Sequence, residues 1–539
     1  MKRLILLNLL FVLAACSDDK ASPELFNQAQ ADEFPAKAYL EHDEIYNPEA
    51  VIPPQCYTKT QGQHNPCYVC HQSYDDKQHS NQMRDGTLQG SYDFSDVGLK
   101  NSWKNLFIDR SEKIKDISDQ TILSYINQDN YSPLIKWMES DEWQGEVPHI
   151  KDFEKGAAAF DKQGLARDGS MWVAFNYKPM PSMFWPTNGS TDDVVMRLPK
   201  AFYELNGEKN LDAYFVNLAL TEMSILELDE TTIMPVNEES INVDVNGNGV
   251  MERGVTLVKR RSNYVGDASH INVEHMLYPQ GTEFLHSVRY VGLSENGQVK
   301  PSKRLKELRY MKKHTLFPLS RIRQAYYGEA KEKHFGNLPA VSDFGDRGFA
   351  NGFGWLIWGF IEDENGALRK QVKQEQFFCA GCHKTIGTTI DQTFSFPRKL
   401  VGADGWGYID LNKLIDAPNR GEEKGEFLTY MERVQGGDEF RQNTEMRNRW
   451  FNEDGTLKYD DIQKLPSIYP LITPSKKRAL DLNKAYFTIV QEQSFLFGRD
   501  PMINPSHNVF ENIDSEIEPL QPAHRYKWDI RLDWSAVKP

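Results

Sequence analysis

Cys67-Tyr68-Val69-Cys70-His71 and Cys379-Ala380-Gly381-Cys382-His383 are two C-x-x-C-H strings set more than three hundred residues apart. They take four of the six cysteines and leave Cys16 and Cys56. No other feature limits the fold so tightly, because each string puts two thiols and an imidazole on a single turn. With Cys16 set aside the count is odd, and the paired thiols are each followed by His, so a disulfide framework fits poorly. A dithiol redox motif wants a βαβ setting and has no use for the His. A four-thiolate zinc site built from both pairs leaves the twin histidines unexplained.

C-x-x-C-H is the attachment signature of c-type haem. Two thiols on one turn add to the two vinyl groups of the porphyrin, and the next residue supplies the proximal nitrogen to iron. Over these two pentapeptides the chain resembles the c-type cytochromes, and the resemblance stops there. It implies two covalently attached haems, held by Cys67, Cys70, Cys379 and Cys382, with His71 and His383 as proximal ligands.

Residues 1–16 have the layout of an export signal: Lys2 and Arg3, an apolar run from Leu4 to Val12, then small residues before Cys16. Leu13-Ala14-Ala15-Cys16 resembles the lipobox of bacterial lipoproteins, which implies cleavage before Cys16 and acylation of its thiol. By the same resemblance Ser17 points to the outer membrane, with the body in the periplasm or at the cell surface. Residues 17–45 are polar and aperiodic and read as a tether. The lipid is then the expected link to the membrane, since no later apolar stretch approaches the length of a membrane helix. A formal charge of −15 argues against nucleic acid as a partner.

The sixth position at each iron decides between electron transfer and ligand chemistry. His286 is the first candidate for a distal ligand. Thr282 to Tyr290 reads as a strand, and a period of two puts Phe284, His286, Val288 and Tyr290 on one face. His64 and His79 flank the first motif in polar stretches that suit surface histidines. His314 closes Ser302 to His314 (SKRLKELRYMKKH), which reads as a helix whose C-terminal end a histidine would complement. Met138 and Met446 lie about sixty residues past the two motifs, the interval at which small cytochromes c place an axial methionine, although core packing is the commoner role. Cys56 resembles, in principle, the thiolate ligand of some dihaem sulfur-oxidising cytochromes, and is otherwise a small buried side chain.

The expected architecture is α+β. A mainly helical region at 46–150 carries the first motif, 151–375 is β-rich, and 376–539 is again mainly helical with the second motif; 46–539 is read as one packed body. Strands are expected at Trp172–Tyr177, Ile241–Val245, Val255–Val258 and around His286. A hairpin is expected from Gly352 across an Asn365-Gly366 turn, running into the second motif. Asp244, Asn246 and Asn248, followed by Gly249, have the oxygen spacing of a calcium loop. Val255 stands where an EF-hand needs its bidentate Glu, so the same letters also describe a Gly/Asn turn.

These observations support a lipid-anchored dihaem cytochrome that carries electrons between redox partners of the bacterial envelope. The alternative is an oxidoreductase resembling dihaem peroxidases, acting on a small-molecule substrate, with one haem taking in electrons and the other doing chemistry. The size of the body favours the alternative. The wide separation of the motifs, and the lack of an identifiable acid–base residue, count against it.

Overall fold

Side chains alternating across long strands organise the centre of the protein. The computed structural model describes residues 52–58, 70–71, 94, 97–181, 183, 185–337, 341–434, 443–513 and 530–537. Besides a two-residue pair, Glu204–Leu205 with Glu208–Lys209, its strands are β1 (Val173–Ala174), β2 (Thr191–Arg197), β3 (Glu230–Asn237), β4 (Arg253–Lys259), β5 (Glu283–Leu293), β6 (Val299–Lys313), β7 (Ser342–Asp343), β8 (Phe349–Ala350), β9 (Trp355–Glu362) and β10 (Leu368–Lys370). Eight of them form one antiparallel sheet in the order β1-β2-β5-β6-β9-β8-β7, with β10 also paired to β9. β3 and β4 form a separate hairpin. The principal helices are α1 (Asp119–Ile126), α2 (Tyr131–Met138), α3 (Leu211–Leu226), α4 (Leu319–His334), α5 (Lys373–Cys382), α6 (Glu426–Val434), α7 (Thr444–Trp450) and α8 (Lys476–Glu492). A central antiparallel sheet with helices packed outside it is an α+β fold, as the sequence pattern indicates.

The two faces of the sheet differ. On one, Val195, Leu285, Leu308, Tyr310, Trp358 and Phe360 pack with Leu134, Ile135 and Met138 of α2. Burying each such side chain is worth roughly 1.5–3 kcal/mol. On the other face the alternate residues Asp192, Val194, Phe284, His286, Val288, Glu307, Arg309, Met311 and Ile357 line a cavity. One register row runs Val194–His286–Arg309.

The stretch that reads as a helix ending at His314 is instead β6. Leu305 and Leu308 are three apart and suggest a helical stripe, but the spacing comes from an irregularity in the ladder. Val288 pairs with Glu307 while its neighbour Arg289 pairs with Leu305, so Lys306 is left over as a bulge. His314 therefore follows a strand and lies exposed beside the Thr315 hydroxyl at 2.9 Å. Ile241 ends a helical turn (Glu238–Ile241) and does not begin a strand. Of Trp172–Tyr177 only Val173–Ala174 is ladder-paired, with Phe175 and Tyr177 making single bridges to Trp406 and Lys399. The hairpin before the second motif is present as β9 and β10, closed by Asp363–Ala367.

Sequence periodicity did not reveal α3. Every residue from Ala213 to Leu226 is buried, so no amphipathic stripe marks it. Its start is signalled by Asn210, whose side chain accepts the Ala213 N–H. Among the described residues no helix is long and apolar enough to cross a membrane.

Candidate functional site

The second C-x-x-C-H string closes α5. Cys379 and Cys382 stand three apart in its last turns, on one side of the helix. His383 caps it, its N–H donating to the Cys379 carbonyl at 2.9 Å. The first turn is held by Glu375, whose carboxylate accepts the Val372 N–H at 2.9 Å and takes both Arg369 amino groups at 2.8 and 2.9 Å. At the far end Asn351 donates its amide to the His383 carbonyl at 2.8 Å.

The imidazole of His383 is fixed in one tautomer. Its Nδ1 lies 2.7 Å from the Gln392 carbonyl oxygen, which can only accept, so Nδ1 carries the proton and Nε2 keeps its lone pair. This is how proteins present a histidine to a metal. Burial pushes the His383 pKa down to about 4, which keeps the ring neutral. The carbonyl that orients it comes from an unusual turn: Asp391 and Gln392 are consecutive non-glycine residues with φ of 47° and 60°. The buried Asp391 carboxylate holds that turn by accepting from the Lys313 ammonium, the Tyr278 N–H at 2.9 Å and the Trp355 indole at 3.4 Å. The sequence carried no signal for these residues beyond their nearness to the motif.

Both thiols are desolvated. Burial raises the Cys379 pKa and pushes Cys382 up to about 12. A dithiol redox centre works through a stabilised thiolate, and these surroundings disfavour one. Among the described residues no three His, Cys, Asp or Glu side chains cluster as a metal site. Cys379, Cys382 and His383 instead face a shared cavity of about 230 Å³. Its apolar wall includes Met180, Phe284, Met311, Phe378, Phe394 and Phe396. Phe394 meets the His383 ring edge-on, with centroids 5.5 Å apart. Protonated thiols, a neutral imidazole with a lone pair and an apolar space suit a covalently attached porphyrin.

His286 lines the same cavity from the sheet, with Phe284 and Val288 on its face. Tyr290 departs from that face: the ladder irregularity after Val288 turns it into the core with Ile361 and Tyr486. The His286 Nε2 lies 3.4 Å from the Asp192 carboxylate, which also accepts from the Tyr177 hydroxyl. Beside it, Arg309 and Arg499 donate to Glu307 at 2.9 and 3.0 Å. Burial alone would raise the Glu307 carboxyl, but the two guanidinium groups outweigh it and hold the pKa at about 2.

Cys70 and His71 of the first motif are described; Cys67, Cys16, His64 and His79 lie outside the described residues. The Cys70 carbonyl accepts the Thr388 N–H at 3.3 Å, so the first string lies against the segment that follows the second. Cys70 and Cys56 pack against the same core, which contains Met180, Met431 and Met446. Met138 sits in the core on the opposite side of the sheet from the cavity. The oxygens of Asp244, Asn246 and Asn248 converge in one loop and accept from backbone N–H groups of residues 247–250 at 2.7 to 3.2 Å. Such bonds close an Asx-type turn without a cation.

A family model described as that of a lipoprotein matches residues 40–469. An uncharacterized lipoprotein of Aquifex aeolicus (strain VF5) is 33% identical over 537 aligned positions, spanning 87% of this chain and 89% of the relative. No solved structure matches.

Proposed function

The chain belongs to this lipoprotein family, and from its two C-x-x-C-H strings we propose that it is a lipid-anchored dihaem c-type cytochrome carrying electrons between redox partners of the bacterial envelope. The observation that carries the reading is the His383 imidazole. Its Nδ1–H is engaged by Gln392 and it shares one cavity with the two thiols one and four residues before it. In this reading Cys379, Cys382 and His383 hold one haem, and Cys67, Cys70 and His71 hold the other. The anchor is an acylated Cys16 in the outer membrane.

Bound there, haem iron supplies one-electron redox chemistry. The protein contributes the rest. Gln392 orients the proximal imidazole, and Phe394 packs edge-on against it. Arg309, Arg499 and Glu307 set the local charge. The Cys70–Thr388 contact keeps the two attachment turns adjacent, which favours electron exchange between them.

Mass spectrometry of the full chain, matured in a host that assembles c-type cytochromes, is expected to show two added haem groups; the bare polypeptide mass would sink the reading. His286→Ala is expected to convert one haem from low to high spin and shift its potential, if His286 is the distal ligand. Ferric spectra before and after substitution check this, and unchanged spectra return His286 to an ion-pairing role with Asp192.

The peroxidase-like alternative draws on the size of the protein and on the charged groups facing the cavity. A wild-type ferric spectrum with a high-spin component that responds to peroxide would favour it. Two low-spin haems indifferent to peroxide favour the carrier.

A further inference from the structure

One end of the cavity gathers basic side chains that make no carboxylate ion pair among the described residues. On α8, Arg478, Leu482 and Tyr486 recur every four residues and so share one face, and all three line the cavity. Opposite them is Lys306, the bulged residue of β6, whose displacement from the ladder leaves its side chain at the cavity. Lys306 is 1% exposed. Its ammonium donates to the Gly189 carbonyl at 2.6 Å and to the Ser190 hydroxyl at 3.2 Å, and lies 4.0 Å over the Tyr486 ring. None of these partners carries a negative charge.

Arg478 and Tyr486 add unused donors. Among the described residues the buried Arg478 Nε has no hydrogen-bond partner, and neither has the hydroxyl of Tyr486, which is itself 1% exposed. Arg499 reaches this end too, but Glu307 and the Glu375 carbonyl engage it. Burial lowers the Lys306 pKa to about 7, opposed by Glu362, Glu307 and Asp500, the last of which also lines the cavity; the acids that act on Arg478 are Glu445 and Asp481. Glu362 is bound by Tyr125, Tyr290 and Arg304, and Glu307 by Arg309 and Arg499. No carboxylate makes an ion pair with Lys306 or Arg478 among the described residues. Buried cations are normally paired, and buried donors are normally satisfied.

We propose that this end of the cavity is a binding site for an anionic oxygen group, a carboxylate or an inorganic oxyanion, held by Lys306, Arg478 and the Tyr486 hydroxyl. The site stands whether or not the haem reading does. If haems are attached, a porphyrin propionate can supply the carboxylate; otherwise the anion comes from solution and belongs to a substrate or effector.

The test uses the full chain as matured with its cofactors, at fixed ionic strength because surface charge is screened by salt. Sodium sulfate and sodium acetate are titrated calorimetrically into wild type, Arg478→Gln and Tyr486→Phe, and haem potentials are measured on the same three proteins. A free-anion site predicts saturable heat in wild type and about tenfold or greater weakening in Arg478→Gln, the usual size of a lost hydrogen bond to charge. A propionate site predicts no heat, with a lowered potential for one haem once the cation is removed. Unchanged potentials together with no saturable heat overturn the proposal. If the mass shows no haem, the calorimetric arm alone decides. Arg478 is half-buried at the cavity rim, and Tyr486→Phe loses one hydroxyl, so thermal melts matching wild type are expected of both.

Discussion

Replacing Cys379 and Cys382 together by alanine is expected to remove one of two haem groups from the mature protein and leave the other attached. The argument starts from how little else the change disturbs. Both positions lie in α5, where alanine is the most favourable residue, and the helix is held at its start by the Glu375–Arg369 pair. Only the two sulfurs are lost, from a wall that already faces a cavity. The fold is therefore expected to survive, and the mass and haem absorbance report attachment directly. Retention of both haem masses would show that the second string does not hold one. Loss of both would show instead that the Cys70–Thr388 contact couples maturation of the two sites.

Glu426→Ala is expected to destabilise the protein by about 3–5 kcal/mol, the usual consequence of leaving a buried charge without its partner. Glu426 of α6 takes a hydrogen bond from Lys178 at 2.7 Å and from Arg398 at 2.9 Å, and all three side chains are buried. Arg398 also donates to the carbonyls of Lys178 and Pro179 at 2.9 Å each, tying together three segments distant in sequence. Lys178 keeps Asp416 at 2.9 Å, so the loss falls mainly on Arg398, which lines the cavity.

This stability is pH-dependent with a definite sign. Burial alone would raise the Glu426 carboxyl, but Arg398 and Lys178 outweigh it and hold it below the usual value of 4.5. A carboxyl depressed in the folded state contributes stability above its unfolded pKa and loses it as pH falls through the folded value. Denaturant melts should show the largest gap between wild type and variant near pH 7, narrowing below about pH 4.5. A gap that did not change with pH would mean that the variant acts by cavity formation and not by charge.

Several parts of the architecture were legible because the side-chain pattern and the environment agree. The strand through His286 has one apolar face turned to the cavity and one to a core, so period two shows directly. The β9–β10 hairpin announces itself through Asn365-Gly366. β6 reads as a helix because its cavity face is charged: Lys306 and Glu307 are buried and Arg309 pairs with Glu307, and a strand with such residues turned inward hides the alternation that reveals strands. α3 fails in the opposite way, being buried on all sides. In the candidate site, the thiols and histidines of both motifs could be named from spacing alone. Gln392, Asp391 and Lys313 could not, since a backbone carbonyl held by a strained turn leaves no compositional trace.

Two C-x-x-C-H strings, a lipoprotein-like leader and the mixed α+β character are all legible in the sequence alone, because each is written in patterns spanning a few residues. Tertiary structure decided which side chains share a space: that Cys70 meets Thr388 just past the second string, that His286 and His383 line one cavity, and that Lys306 and Arg478 line it with no carboxylate ion pair among the described residues. Those relations join residues up to several hundred positions apart. They follow from sheet register, a single bulge and helix docking, none of which local spacing encodes.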